Sequence, residues 1–136
     1  MTGFDKRMLF GSPKWNTFMV MEGSLHVKGY VNAANLINRS LETLKKDIEK
    51  SNFNATKEIM NTDIYSYRLK EEKENQKKHF GVIIGDNYKC SDKILNEDKD
   101  GVELYSMTSI LWKAFQEQQE EIEELKKEIE KLKGGK

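Results

Sequence analysis

The chain has 136 residues, of which 37% are hydrophobic and 34% are charged, so it can form one domain or a small domain with an appendage. Lysine plus arginine equals aspartate plus glutamate at 23 each, a balance that gives no indication of a nucleic-acid partner. Cys90 is the only cysteine, which excludes an intrachain disulfide. No apolar run approaches the roughly 20 residues that a membrane span needs.

Residues 1–39 contain β-like runs that are separated by turn signals. The stretch "WNTFMVME" is rich in strand formers, and "SLHVKGYVNA" alternates with a period of two. These strands are too few to form an independent sheet. We therefore expect them to pair with other chains or with protein upstream of Met1.

Residues 40–100 predict a mixture of short helices and strands. Leu41, Leu44 and Ile48 follow helical spacing and predict a short amphipathic helix, and Asn54 is the expected N-cap of a second one. The stretch "DIYSYRLKEE" predicts a strand, "KEEKENQKKH" a solvated turn or hairpin tip, and "FGVIIG" a short buried strand. The stretch "SDKILNEDKDG" is polar and turn-forming.

Residues 101–133 predict a long helix whose apolar side chains repeat in heptads. We expect a coiled coil over about residues 105–133, in which Ile at a and Leu at d alone would favour a parallel dimer. Gln118 is a polar residue at a d position, which costs stability and helps to fix the register of the helices. The expected a and d residues in the interface are Leu111, Phe115, Gln118, Ile122, Leu125, Ile129 and Leu132.

Ser40 and Lys45 permit two interpretations, a helix cap or a nucleophile with its base. Five residues apart on a continuous helix, the two side chains would lie about 140° apart. They can meet only if Ser40 precedes the helix and the chain bends back, or if Lys45 comes from another protomer. Ser24 and Lys28 form a competing pair in strand-like sequence.

The remaining reactive side chains are interpreted as structural. We expect His79 to make a structural hydrogen bond and Cys90 to be a structural thiol, because the sequence shows no cluster of metal ligands. The aromatic residues have core or interface spacing and are interpreted as packing residues: Tyr65, Tyr67, Tyr105, Trp112 and Phe115. No metal and no cofactor is expected.

The order of these segments resembles a known family. "SLETLKKDI", "IYSYRLK", "HFGVIIG" and "GVELYSMTSILWKAFQEQQEEIEELKKEIEKL" follow one another over about residues 24–133. This order resembles the C-terminal intramolecular chaperone domain, of the endosialidase type, of bacteriophage tail spikes, tail fibres and neck appendages. A neck appendage is the most similar kind. The sequence departs from the family pattern at Leu41, where Asp is usual, and at Gly85-Asp86, where Ala-Gln is common.

The resemblance implies an α+β homotrimer. Residues 1–39 would be the end of a β-rich stalk, and residues 40–136 the chaperone domain, which ends in a three-helix coiled coil. The partners would be two further copies of the chain and its own upstream stalk, with no nucleic acid and no membrane. The domain would align the stalk in the host bacterial cytoplasm during phage assembly and then be released, while the stalk stays in the virion.

The resemblance also implies self-cleavage at the Arg39–Ser40 bond, with Ser40 as nucleophile and Lys45 as base. Glu42 is close in sequence and is a candidate for orienting the lysine. A lysine acts as a base only when it is neutral, which burial or a neighbouring positive charge favours. The alternative function is a permanent, non-enzymatic coiled-coil trimerisation or adaptor module. A third interpretation is a cytosolic regulator with a leucine-zipper-like tail.

Overall fold

A computed structural model describes residues 23–135 of the chain. The chain divides into two units, Met1–Ile37 and Asn38–Lys136. The predicted boundary between residues 39 and 40 stays a prediction. The strand predicted in "WNTFMVME" lies outside the described residues. The helices and strands are α1 (Ala55–Met60), β1 (Tyr65–Tyr67), β2 (His79–Gly81) and α2 (Leu104–Gly134), with 3₁₀ turns at Glu42–Leu44 and Asp92–Ile94.

The described part of the first unit, residues 23–37, contains no strand. The strand predicted over residues 24–33 is therefore absent from the single chain, since a strand exists only beside a hydrogen-bonded neighbour. Its side chains are exposed, including the large apolar ones at Leu25, Val27 and Val31. The alternating side chains of this stretch are thus uncovered within the described part of the first unit.

Helix α1 begins as the sequence predicts. The Asn54 side chain accepts a hydrogen bond from the Lys57 N–H at 2.7 Å, which satisfies one of the free donors at the helix start. Helix α1 packs on α2, and Ala55 at its first position is fully buried. The predicted cap and the second short helix are both confirmed.

Strands β1 and β2 form an antiparallel hairpin in which Ser66 lies opposite Phe80. The charged stretch between them forms turns, as expected for a hairpin tip. The predicted buried strand "FGVIIG" is wrong in length and burial, because β2 ends at Gly81 and Phe80 is 72% exposed. A sheet of two strands has one neighbour per strand, so the residues after Gly81 find no further strand to pair with.

The segment before α2 places the start of that helix. Ile94 in the second 3₁₀ turn is buried, and its carbonyl accepts a hydrogen bond from the Glu103 N–H at 2.8 Å. Leu95 and Val102 form an isolated antiparallel bridge across the loop. These contacts hold the first residues of α2 against the buried 3₁₀ turn. The long helix predicted over residues 101–133 is confirmed, with bounds at Leu104–Gly134.

The core is small. Among residues 23–135, the buried apolar side chains are Ala55, Ile94, Ile110 and Ala114. This agrees with the low apolar content of the sequence, and the predicted α+β class is confirmed. The homotrimer and the coiled coil stay predictions. In residues 23–135 no helix has the length and apolar character to cross a membrane.

Candidate functional site

The chain makes a single turn between Ser40 and Lys45. The Leu44 N–H donates to the Leu41 carbonyl at 3.1 Å, and the Lys45 N–H donates to the Glu42 carbonyl at 2.9 Å. Leu41 and Lys45 on either side have extended backbone. The amphipathic helix predicted from Leu41 to Ile48 is therefore wrong, since only one 3₁₀ turn forms.

The backbone explains why this helix stops early. Lys45 is already extended, with φ −127° and ψ 156°, and Asp47 has a positive φ of 53°. Neither conformation continues a right-handed helix. The apolar side chains at Leu41, Leu44 and Ile48, whose spacing predicted the helix, are all exposed.

This single turn brings the Ser40 and Lys45 side chains together within one chain. The Lys45 Nζ donates a hydrogen bond to the Ser40 Oγ at 2.5 Å. Of the two ways in which the sequence allowed them to meet, the structure has the first, with Ser40 before the turn and the chain bent back. The distance is within the reach that a nucleophile and its base require.

The Ser40 hydroxyl does not cap the turn. The cap position is occupied by Leu41, which makes no side-chain cap bond. The partners of the Ser40 Oγ within residues 23–135 are both side chains, since the Tyr105 hydroxyl also donates to it, at 3.0 Å. In this structure the serine is therefore held by a lysine and a tyrosine.

The Glu42 carboxylate does not contact Lys45, as an orienting residue would. Its carbonyl receives the Lys45 N–H, but its carboxylate makes no hydrogen bond or ion pair with any residue between 23 and 135. The structure therefore does not place the Glu42 carboxylate on Lys45. An orienting role for Glu42 has no contact to support it in the single chain.

The three side chains of this cluster are accessible to solvent in the single chain. Ser40 and Lys45 are exposed, and Tyr105 is 49% exposed. A neutral amine, which a base requires, is favoured when the group leaves water. The Ser40–Lys45 contact thus has the geometry for nucleophilic chemistry. Another protein surface would have to cover the lysine and exclude water from it.

Sequence reasoning assigned Tyr105 to packing and missed its contact with Ser40. The two residues are 65 positions apart, and the heptad register gives no reason to link them. The only signal was the position of this tyrosine in the family pattern, where it leads into the long helix. The competing pair does not form, because the side chains of Ser24 and Lys28 make no hydrogen bond with each other.

His79 and Cys90 have structural surroundings. The His79 Nε2 lies 2.8 Å from the Glu72 Oε1, which agrees with the expected structural hydrogen bond. Burial raises the pKa of the Cys90 thiol, which disfavours the nucleophilic thiolate. No group of three metal-ligating side chains comes together in the part of the chain that the structure describes.

The predicted interface residues lie along α2, and no other part of the described chain covers them. Phe115 is 69% exposed and Ile122 is 45% exposed, although both are large apolar residues. Apolar surface that continues along one helix in this way is typical of a contact with another protein surface. The whole set is exposed, namely Leu111, Phe115, Gln118, Ile122, Leu125, Ile129 and Leu132.

Comparison with known proteins gives one match. Residues 42–89, about a third of the chain, match the family model described as "Chaperone of endosialidase". No curated protein and no solved structure matches the chain. The matched residues include Lys45 and the β1–β2 hairpin; they begin two positions after Ser40 and end before α2. The match confirms the resemblance found in the sequence and supports a chaperone role.

Proposed function

We propose, from the membership of residues 42–89 in the endosialidase chaperone family, that this chain is an intramolecular chaperone which trimerises, aligns a phage appendage stalk and then cleaves itself off. The stalk end would be residues 1–39 and the released domain residues 40–136. Folding would take place in the host bacterial cytoplasm, and the stalk would remain in the virion. The partners are two further copies of the chain and the upstream part of the same polypeptide.

The apolar surface of the single chain supports assembly. Four buried apolar side chains form the core of residues 23–135, while large apolar residues line α2 without cover. Burying such a surface in a bundle of three helices is favourable by about 25 cal/mol per Å². A bundle at the C-terminal end would also raise the local concentration of the three stalk segments, because tethered groups meet more often than free ones.

The proposed chemistry is hydrolysis of the Arg39–Ser40 peptide bond. Neutral Lys45 takes the Ser40 hydroxyl proton while the Oγ attacks the Arg39 carbonyl carbon. The bond from that carbon to the Ser40 nitrogen breaks, and the departing amine takes the proton from Lys45. Water then hydrolyses the ester, which leaves a carboxylate on Arg39 and restores the Ser40 hydroxyl.

One observation carries the proposed cleavage, the 2.5 Å contact between the Lys45 Nζ and the Ser40 Oγ in the same chain. The contact brings together the two residues that the family resemblance implies, although a continuous helix would separate them. It also places the pair directly beside the proposed scissile bond, since the Ser40 nitrogen belongs to that bond. A surface lysine and serine five positions apart have no general reason to meet in this way.

Mass spectrometry of freshly purified and incubated protein tests the cleavage. We expect fragments 1–39 and 40–136 from the natural chain and none from Ser40→Ala. Lys45→Ala should slow the reaction by about a hundredfold or more, as loss of a general base does. Two matched controls should cleave at the natural rate: Lys28→Ala and Ser24→Ala, which remove the two members of the competing pair.

The alternative function, a permanent trimerisation or adaptor module, predicts a different result. It is favoured by the exposure of both Ser40 and Lys45 in the single chain. An intact mass that persists through long incubation, in a sample that sediments as a trimer, would support the adaptor and end the proposal of self-cleavage. Fragments that also appear from Ser40→Ala would assign the cut to a contaminating protease.

A further inference from the structure

The nucleophile of the proposed site has a second side-chain partner that neither the sequence nor the family match assigns. The Tyr105 hydroxyl donates a hydrogen bond to the Ser40 Oγ at 3.0 Å, beside the lysine contact at 2.5 Å. Residue 105 also lies beyond the matched family segment, which ends at residue 89. The phenol therefore contacts the atom that would attack the Arg39 carbonyl.

The position of Tyr105 is fixed by the core and not by the scissile segment. Tyr105 is the second residue of α2, and its carbonyl accepts a hydrogen bond from the Ser109 hydroxyl at 2.8 Å. The residue two positions earlier, Glu103, donates its N–H to the carbonyl of buried Ile94. The first turn of α2 thus fixes the Tyr105 backbone, from which the phenol reaches Ser40, independently of the conformation of residues 39–45.

We propose that Tyr105 is the third residue of the cleavage site and holds the Ser40 hydroxyl in its reactive orientation. This inference rests on the proposed self-cleavage. The phenol occupies one lone pair of the Ser40 Oγ, and once Lys45 is neutral the serine proton can turn to the free lone pair of its Nζ. As that proton leaves, the same hydrogen bond strengthens, because hydrogen bonds to a charged oxygen are stronger than those to a neutral one.

The role leaves the balance of the reaction unchanged. Tyr105 keeps its proton throughout, while Lys45 carries the proton from the Ser40 hydroxyl to the departing Ser40 nitrogen. What Tyr105 adds is a dependence on α2, because the donor reaches Ser40 only when the first turn of that helix is formed and in place. The helix that is predicted to assemble the trimer would then also complete the cleavage site.

Tyr105→Phe tests the proposal, since it removes the hydroxyl and keeps the ring. We expect cleavage at neutral pH to be slowed by about tenfold to a hundredfold, the value of a hydrogen bond to a charged group. The rate should fall by the same factor at every pH and the midpoint of the pH profile should stay where it is, because the titrating base is Lys45 and the lost hydrogen bond stabilises the Ser40 alkoxide. The melting temperature and the oligomeric state should stay as they are.

The matched control is Tyr65→Phe, which removes a tyrosine hydroxyl that is bonded to Asp63 at 3.2 Å in the hairpin. It should cleave at the natural rate. A natural rate in Tyr105→Phe would overturn the role of Tyr105 and leave the Ser40–Lys45 pair intact. So would a loss that comes with a lower melting temperature or a moved pH midpoint, since the substitution would then have disturbed the fold or Lys45 itself. If the natural chain itself yields no fragments, the proposed self-cleavage fails first and the tyrosine role with it.

Discussion

Glu117 is the side chain that joins α2 to the beginning of α1. Its carboxylate accepts hydrogen bonds from the backbone N–H of Ala55 at 3.0 Å and of Thr56 at 2.9 Å, and from the Thr56 hydroxyl at 3.0 Å. The Lys113 Nζ lies 2.7 Å away, one helical turn earlier. A carboxylate in this position satisfies free donors at a helix start and complements the positive end of the helix dipole.

These contacts make the stability of the fold depend on the charge of Glu117. The Lys113 ammonium, followed by the backbone N–H groups of Ala55 and Thr56, lowers the pKa of Glu117 from 4.5 to about 2. Because the pKa is lower in the folded state, the charged carboxylate stabilises the fold above about pH 4.5. That stabilisation is lost as the pH falls from about 4.5 to about 2.

Glu117→Gln should therefore lower the melting temperature at neutral pH and have progressively less effect toward pH 2. The amide keeps one acceptor oxygen but loses the charge and the second acceptor. Thermal melts between pH 2 and pH 7, followed by circular dichroism, measure the difference. Glu120→Gln is the control, because the Glu120 carboxylate has no hydrogen bond or ion pair within residues 23–135 and the change should have almost no effect. A constant difference between Glu117→Gln and the natural chain at every pH would contradict this account.

The sequence predicted some of these residues and missed others for a physical reason. Ser40 and Lys45 were found because they are close in sequence and their types suggest a nucleophile and a base. Tyr105 was assigned to packing and Glu117 was given no role, because each contacts residues more than 60 positions away. Such contacts depend on how α1 and residues 39–45 lie against α2, which no local pattern encodes.

At the scale of elements, local patterns predicted what is local. The Asn54 cap and the long helix α2 follow from one capping side chain and from helical periodicity, and both are present. The predicted helix after Ser40 and the predicted buried strand "FGVIIG" are wrong, since each needs a covering surface that residues 23–135 do not provide. Periodicity shows which face of a helix or strand is apolar. Whether a short element forms also depends on a second surface against which that face can pack.

The apolar face of α2 leads to a prediction about assembly. Replacing Ile122 and Leu125 together by Gln should dissociate the proposed trimer at micromolar concentration. Two substitutions in each of three chains remove about six aliphatic side chains from the interface, each worth about 1.5–3 kcal/mol when fully buried. Sedimentation velocity measures the change.

A matched pair on the opposite face of α2 is the control for this experiment. Glu120 and Lys127 are exposed and occupy positions outside the predicted seam. Replacing both by Gln should leave the trimer unchanged. If the variant with Gln at 122 and 125 still sediments as a trimer, α2 is not the element that organises assembly.

At the scale of the whole molecule, residues 23–135 expose more large apolar side chains than they bury. In residues 23–135 these include Trp112 and Phe115 on α2 and the run of apolar residues from Leu25 to Ile37. A soluble monomer rarely leaves such surfaces uncovered. Residues 23–135 therefore have the surface expected of one part of an assembly. In such an assembly the covering protein would decide whether water reaches Ser40 and whether the Lys45 amine is charged.

Mixed assemblies test whether each proposed cleavage site lies within one chain, as the 2.5 Å contact between Lys45 and Ser40 suggests. Chains with Ser40→Ala and chains with Lys45→Ala, given tags of different mass and co-expressed, should form trimers in which almost no chain is cut. A chain with Ser40→Ala has no nucleophile, and a chain with Lys45→Ala has no base of its own. Fragments are identified by intact mass after purification through both tags.

The comparison for this experiment is the natural chain co-expressed with Ser40→Ala, in which only the natural chains should be cut. Rapid cutting of the Lys45→Ala chains in the first mixture would mean that a neighbouring protomer supplies the lysine. The contact seen in the single chain would then be replaced on assembly. Ser40 and Lys45 are both exposed in the single chain. The experiment therefore distinguishes a trimer that shields a Ser40–Lys45 pair from one chain from a trimer that forms the pair from two chains.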